Sequence, residues 1–68
     1  MTDTYKLKSV IQNEGLKYYK IAEKLGLSRQ GLKKKIENDS EFKASEIVVL
    51  TELLNLANDE RDKIFFAS

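Results

Sequence analysis

The feature that most constrains the fold is the spacing of the apolar residues, which recur three and four positions apart in short segments along the whole chain. This spacing places the apolar side chains of a segment on one face of an α-helix. Each segment ends at a glycine or at a polar stretch, so the helices must be short. A chain of 68 residues is long enough for one domain with a small core. We therefore predict a single all-α domain of five short helices over residues 1–68.

The middle of the chain contains a pattern that is typical of two helices joined by a tight turn. Gly26 follows an amphipathic segment, and we expect it to end the second helix with a positive φ angle. Ser28 is expected to cap the third helix. Ala22 supplies a small side chain where the two helices cross, and Leu32 supplies an apolar side chain that the third helix buries. This spacing predicts a helix-turn-helix unit over residues of about 18–37.

Charge is distributed unevenly along the chain. Residues 1–35 carry nine Lys or Arg and three Asp or Glu, whereas residues 36–68 carry three and eight, so the net charges are +6 and −5. Such asymmetry is typical of a surface that faces a polyanion, although solvated charge on a small domain explains it as well. The densest basic cluster follows directly after the predicted turn, in the segment RQGLKKKI.

The most apolar segment is SEIVVLTELLNLAN, residues 45–58, which we expect to begin at a Ser45 cap. Its apolar residues occupy two helix faces, which indicates two packing neighbours. The β-branched run 47–49 is also compatible with a short strand, but the apolar spacing continues through Leu56 and favours a helix.

The last segment is predicted to form a fifth helix with Asn58 as its cap. The adjacent Phe65 and Phe66 cannot point in one direction on a helix, so we expect one to close the core and the other to meet a partner. Burial of both within a monomer is the alternative. The predicted packing and dimerisation helices span residues of about 45–66, and the predicted dimer contacts are Val49, Leu53, Ile64, Phe65 and Phe66.

Several classes of chemistry are disfavoured by what the sequence lacks. There is no cysteine and no histidine, which removes disulfides, thiolate chemistry and the commonest general base and metal ligand. We therefore expect no catalytic residue, no metal site and no cofactor, and we predict that the protein is not an enzyme. No apolar run approaches the length of a membrane span and no signal peptide opens the chain, so we expect a cytoplasmic protein without a membrane partner.

The run LGLSRQGLKKKIENDSEF, residues 25–42, is followed by SEI at 45–47 and IFFA at 64–67. Together these segments resemble the Cro and phage-repressor type helix-turn-helix family, and most closely the small Cro-like regulators of phages of Gram-positive bacteria. The resemblance extends from about Leu7 to Phe66. It implies a compact five-helix, lambda-repressor-like DNA-binding domain that acts in the cytoplasm of a bacterial host cell, commonly as a homodimer on a two-fold operator. Asp39 stands where many relatives have a glycine, which leaves the geometry of that loop open.

The resemblance also implies which residues meet double-stranded DNA, because the first turns of the third helix read base edges in this family. Arginine pairs bidentately with guanine and glutamine with adenine, and lysine reaches guanine or phosphate. Gly31, which has no side chain, would let that end of the helix approach the groove closely. The implied base contacts are Arg29, Gln30, Lys33 and Lys34, and the implied phosphate contacts are Lys17, Tyr18, Tyr19, Ser28 and Lys35.

These expectations define two candidate functions. The first is a sequence-specific DNA-binding transcriptional regulator, a Cro-like phage or prophage repressor. The second is a protein-interaction module, an antirepressor or modulator that binds another repressor through its acidic C-terminal half. The basic third helix favours the first, since an interaction module has no need for its cluster of cations.

Overall fold

The structure, a computed structural model, describes residues 1–67 and is built from five α-helices with no strand among those residues. The prediction of an all-α chain is confirmed, and the run 47–49 is helical. No helix in the described part of the chain has the length and apolar character needed to cross a membrane. The helices are α1 (Thr4–Glu14), α2 (Tyr18–Leu25), α3 (Arg29–Ile36), α4 (Ala44–Leu53) and α5 (Asn58–Phe65).

Local capping signals fix the ends of the first helices. The Asp3 carboxylate accepts a hydrogen bond from the amide of Lys6 at 3.0 Å and so caps α1. Gly15 and Gly26 end α1 and α2, each with a φ of 69°, a left-handed conformation that costs glycine no steric penalty. Ser28 caps α3 as predicted. Each of these boundaries is set by a single residue, and the sequence predicts those at Gly26 and Ser28.

The start of α4 corrects the prediction of a Ser45 cap. The helix begins two residues earlier than a cap at that position would allow, and its N-cap is Lys43. The Oε1 atom of Glu46 accepts a hydrogen bond from the Lys43 amide at 2.7 Å. A glutamate three residues into the helix therefore satisfies the free amide and sets the boundary.

The start of α5 corrects the prediction of an Asn58 cap for the same reason. Ala57 is the N-cap, and its amide donates to Glu60 Oε1 at 3.0 Å. At the other end of the helix Phe65 is buried and packs edge-on against Phe42, with 5.5 Å between ring centroids. The prediction that the two adjacent phenylalanines diverge is confirmed, since Phe66 is 60% exposed.

One core holds the five helices together, and every helix contributes to it. Apart from Phe42 in the loop after α3, its side chains follow the helical spacing of the sequence, including Ile36, which takes the inner position at the end of α3. Burial of these side chains supplies the main favourable free energy of folding. The fully buried members are Leu7, Ile21, Leu32, Ile36, Leu50 and Leu54.

Asn38 ties the end of α3 to the N-terminal segment. Its φ is 68°, so the loop that follows α3 takes its left-handed residue at Asn38 rather than at Asp39. The Asn38 side chain exchanges two hydrogen bonds with the Thr2 backbone, accepting from its amide at 2.9 Å and donating to its carbonyl at 2.7 Å. The hydroxyl of Thr4 donates to the Ile36 carbonyl at 2.6 Å. These contacts hold the C-terminal end of α3 against the start of α1.

Candidate nucleic-acid interface

The candidate site is built on α2, a three-residue turn and α3. The turn consists of residues 26–28, and Gly26 gives it the positive φ that the sequence predicts. Ala22 on α2 and Leu32 on α3 are both buried in the core on which the two helices pack. The two helices, the positive φ in the turn and the burial of Ala22 and Leu32 are therefore as the spacing predicts.

The outer face of α3 carries the four residues that the sequence analysis assigns to base contacts. Because Leu32 and Ile36 point into the core, the i, i+4 pair Gln30 and Lys34 points almost directly away from it. A second i, i+4 pair, Arg29 and Lys33, lies beside the first. All four side chains are exposed: Arg29, Gln30, Lys33 and Lys34.

The cations on this face form no ion pair in the described part of the chain. Among residues 1–67, no carboxylate lies within salt-bridge distance of Arg29, Lys33 or Lys34. By contrast, Lys8 Nζ lies 2.6 Å from a Glu37 carboxylate oxygen, whose hydrogen bond raises the pKa of that lysine. The positive charge of α3 is thus left available to an external anion.

Lys35 differs from its neighbours in being paired and largely buried, and this contradicts the phosphate contact predicted for it. Its ammonium Nζ lies 2.6 Å from Glu46 Oε1, and its side chain is only 12% exposed. The side chain therefore points toward α4 and links the two helices through this ion pair. With its charge neutralised inside the molecule, Lys35 is not available to a phosphate.

The ion pair with Lys35 affects the pKa of Glu46. Burial by itself would raise the pKa of Glu46, but the hydrogen bonds from the Lys35 ammonium and the Lys43 amide outweigh it and leave that pKa lowered. The carboxylate therefore stays ionised and fixes the side of α3 that faces α4. Sequence reasoning missed this role of Glu46, although its position three residues after the N-cap identifies it as a capping residue.

Ser28 and Gly31 form a close contact at the start of α3. The Gly31 amide donates to the Ser28 hydroxyl oxygen at 3.0 Å, and a Cβ atom added to Gly31 would lie 3.1 Å from that oxygen. A residue with a side chain at position 31 would therefore crowd the Ser28 cap, which explains the glycine there. The Ser28 hydroxyl is exposed, and its proton remains free to donate to an acceptor outside the protein.

The other predicted phosphate contacts lie at the start of α2. Lys17 is the N-cap and is exposed, and Tyr19 is also exposed. Tyr18 is half-buried and packs against the core. The first turn of α2 has no side-chain cap and no acidic residue, so its amides and its dipole favour an anion.

The predicted dimer contacts are divided between the surface and the core. Ile64 and Phe65 are 3% and 4% exposed, so their side chains fill the monomer core and a partner cannot reach them. Leu53 is half-buried and packs against the same core. Only Val49 and Phe66 are substantially exposed. The apolar spacing could not separate these two environments, since it identifies a helix face but not what covers it.

No family model, curated protein or solved structure matches this chain. Within the described residues, no group of three or more acidic residues is arranged to hold a metal ion.

Proposed function

We propose that this protein is a sequence-specific DNA-binding transcriptional regulator, a Cro-like phage or prophage repressor that acts on a two-fold operator. The observation that carries the proposal is the outer face of α3, where an exposed glutamine lies beside three exposed cations that pair with no carboxylate of residues 1–67. A helix held in this way by a preceding helix and a short turn is the element that enters the major groove in helix-turn-helix proteins.

The residues of this face have complementary roles in the proposal. Arg29 and Gln30, in the first turn of α3, read base edges: the guanidinium pairs bidentately with guanine, and the carboxamide pairs with adenine. Lys33 and Lys34, one turn further along, reach guanine or phosphate oxygens. The first pair supplies specificity and the second supplies mainly affinity that depends on salt.

The start of α2 supplies the positioning contacts. Lys17 and Tyr19 are exposed beside amides that no side chain caps, a combination suited to a backbone phosphate. Ser28, the last residue of the turn before α3, offers its hydroxyl proton to a neighbouring phosphate. Such contacts orient α3 in the groove without reading sequence.

The test is a fluorescence-anisotropy titration of a randomised duplex pool at several salt concentrations, followed by sequencing of the bound fraction. We expect a steep salt dependence and enrichment of a palindromic site with half-sites about 10 base pairs, or a multiple, apart. Absence of binding at low salt would overturn the proposal and favour the module that binds another repressor.

Two substitutions on α3 test the assignment of roles. Gln30→Ala should reduce discrimination between the enriched site and random DNA by about 1–3 kcal/mol. Lys34→Ala should weaken binding to both and flatten the salt slope by about one unit. The matched control is Lys63→Ala, which removes an exposed cation from α5. If both α3 variants bind like the control, α3 is not the recognition helix.

A further inference from the structure

The face of α3 that carries the proposed base contacts also contains a carboxylate. Glu37, the residue that ends the helix, follows Gln30 by seven positions, or nearly two full turns, so the two lie on the same side. Glu37 is exposed and comes one turn after Lys33 and Lys34. A negative charge here repels phosphate and attracts the two lysines that the proposed function assigns to DNA.

Two cations of α3 itself are placed to pair with the Glu37 carboxylate. Lys33 and Lys34 precede it by four and three residues, the spacings at which oppositely charged side chains on a helix pair. In the described part of the chain, neither lysine forms an ion pair. The helical spacing therefore permits a pair that the structure does not form, because the carboxylate is held elsewhere.

The cation that holds Glu37 comes from α1. The Nζ atom of Lys8 lies 2.6 Å from Glu37 Oε2, across the contact between α1 and the end of α3. The two side chains remain 48% and 37% exposed, and a pair this open to solvent contributes little to the stability of the fold. The consequence of the pair is therefore its direction, since it decides which cation the Glu37 charge neutralises.

We propose that Lys8 is a positioning residue for DNA binding: by pairing with Glu37, it keeps that carboxylate away from the lysines of the outer face of α3. Those lysines then remain available to phosphate. The same cation relieves an unfavourable placement, because the C-terminal end of a helix dipole is negative and disfavours an unpaired carboxylate. The inference rests on the proposed function, to which it adds a role for α1.

The test is a double-mutant cycle on Lys8 and Glu37, read as affinity for the enriched duplex at several salt concentrations. Loss of one phosphate contact removes about one unit of salt slope, or roughly tenfold in affinity at about 0.1 M relative to about 1 M salt. A released Glu37 carboxylate neutralises a lysine only part of the time, because helix ion pairs of this kind are weak. We therefore expect Lys8→Met to bind about three- to fivefold more weakly than the original chain, with a flatter slope.

Two companion variants define the cycle. Glu37→Gln should bind within about twofold of the original chain, because the carboxylate that it removes is already held away from the DNA. Lys8→Arg should bind like the original chain, because a guanidinium keeps the ion pair with Glu37.

Coupling between the two substitutions separates this role from a general effect of charge. If Lys8 acts through Glu37, Lys8→Met should cost nothing further in a chain that already carries Glu37→Gln. If Lys8 attracts DNA only as a positive charge, Lys8→Met weakens binding by the same factor in both backgrounds, and the proposal is overturned. Lys6→Met is the matched control: it removes from α1 an exposed cation that forms no ion pair within residues 1–67, and it should weaken binding less than Lys8→Met.

The remaining outcomes distinguish the possible failures. Urea unfolding of Lys8→Met should match that of the original chain, whereas a clear loss of stability with an unchanged salt slope would assign the pair to the fold alone. If the original chain binds no DNA at low salt, the proposed function fails and the role of Lys8 fails with it. If the chain binds DNA and the two substitutions act additively, α3 remains the candidate recognition helix and only the role of Lys8 is overturned.

Discussion

Lys34 and Lys35 are adjacent lysines in different environments. Replacing each by methionine distinguishes an effect on the stability of the fold from an effect on DNA binding. Lys34 is exposed, whereas the Lys35 ammonium lies 2.6 Å from Glu46 Oε1. Methionine keeps the helix propensity and much of the apolar stem of lysine and removes only the charge. We expect Lys35→Met to destabilise the fold and Lys34→Met to weaken DNA binding.

The size of the first effect follows from the geometry of the pair. At 2.6 Å and an effective dielectric constant of about 20, the attraction between the charges is about 6 kcal/mol, most of which the desolvation of both ions offsets. Removal of the Lys35 charge leaves the Glu46 carboxylate, 9% exposed, with the Lys43 amide as its remaining donor. Loss of one partner of a fully buried pair costs about 3–5 kcal/mol, so a pair that still reaches solvent should cost about 2–3 kcal/mol.

The assay is urea unfolding followed by circular dichroism at neutral pH. Lys35→Met should lower the free energy of unfolding by about 2–3 kcal/mol, or the melting temperature by about 10–20 °C in a domain of this size. Lys34→Met should change that free energy by less than about 0.5 kcal/mol. In the DNA titration the larger effect should come from the other variant, because only Lys34→Met should flatten the salt slope.

One result would refute this reasoning. If Lys35→Met unfolds like the original chain and also flattens the salt slope, Lys35 faces solvent and DNA, and the pair with Glu46 does not form. Equal destabilisation by the two variants would show that methionine itself perturbs α3.

Three further predictions concern stability. Gly26→Ala should lower the free energy of unfolding by about 1–2 kcal/mol, measured in urea, because φ is 69° there; no atom lies near the added Cβ, so Gly26→Asn should cost less. Asn38→Gly should cost about 1–2 kcal/mol through loss of the two hydrogen bonds to Thr2, and Asn38→Ala about 1 kcal/mol more through its positive φ. Because the pKa of Glu46 is lowered, its contribution is present above the ordinary value of 4.5 and is lost as the pH falls below it. Acid unfolding of Glu46→Gln should therefore show a shallower decline than that of the original chain, and an unchanged decline would show that another group dominates.

The order and type of the helices were determined by the sequence alone, because their signals act over a few residues. Apolar spacing defines each helix face, and Gly15, Gly26 and Ser28 set boundaries through their own conformations or hydrogen bonds. The predicted caps of α4 and α5 were wrong where a glutamate three residues downstream competed with a nearby Ser or Asn. Both signals were local, and only their relative strength was misjudged.

Only the tertiary structure decided which of the predicted contact residues are exposed and which are buried or paired within the protein. The sequence predicts a DNA contact for each of Lys33, Lys34 and Lys35. Only the packing of the whole chain brings Glu46, eleven residues further along, to Lys35. Likewise the sequence predicts that Phe65 and Phe66 point in different directions but not which of them is buried, and in the structure Phe65 packs on Phe42 from a distant loop. Helix formation depends on neighbours within four residues, whereas burial and charge neutralisation depend on elements brought together by the collapse of the whole chain.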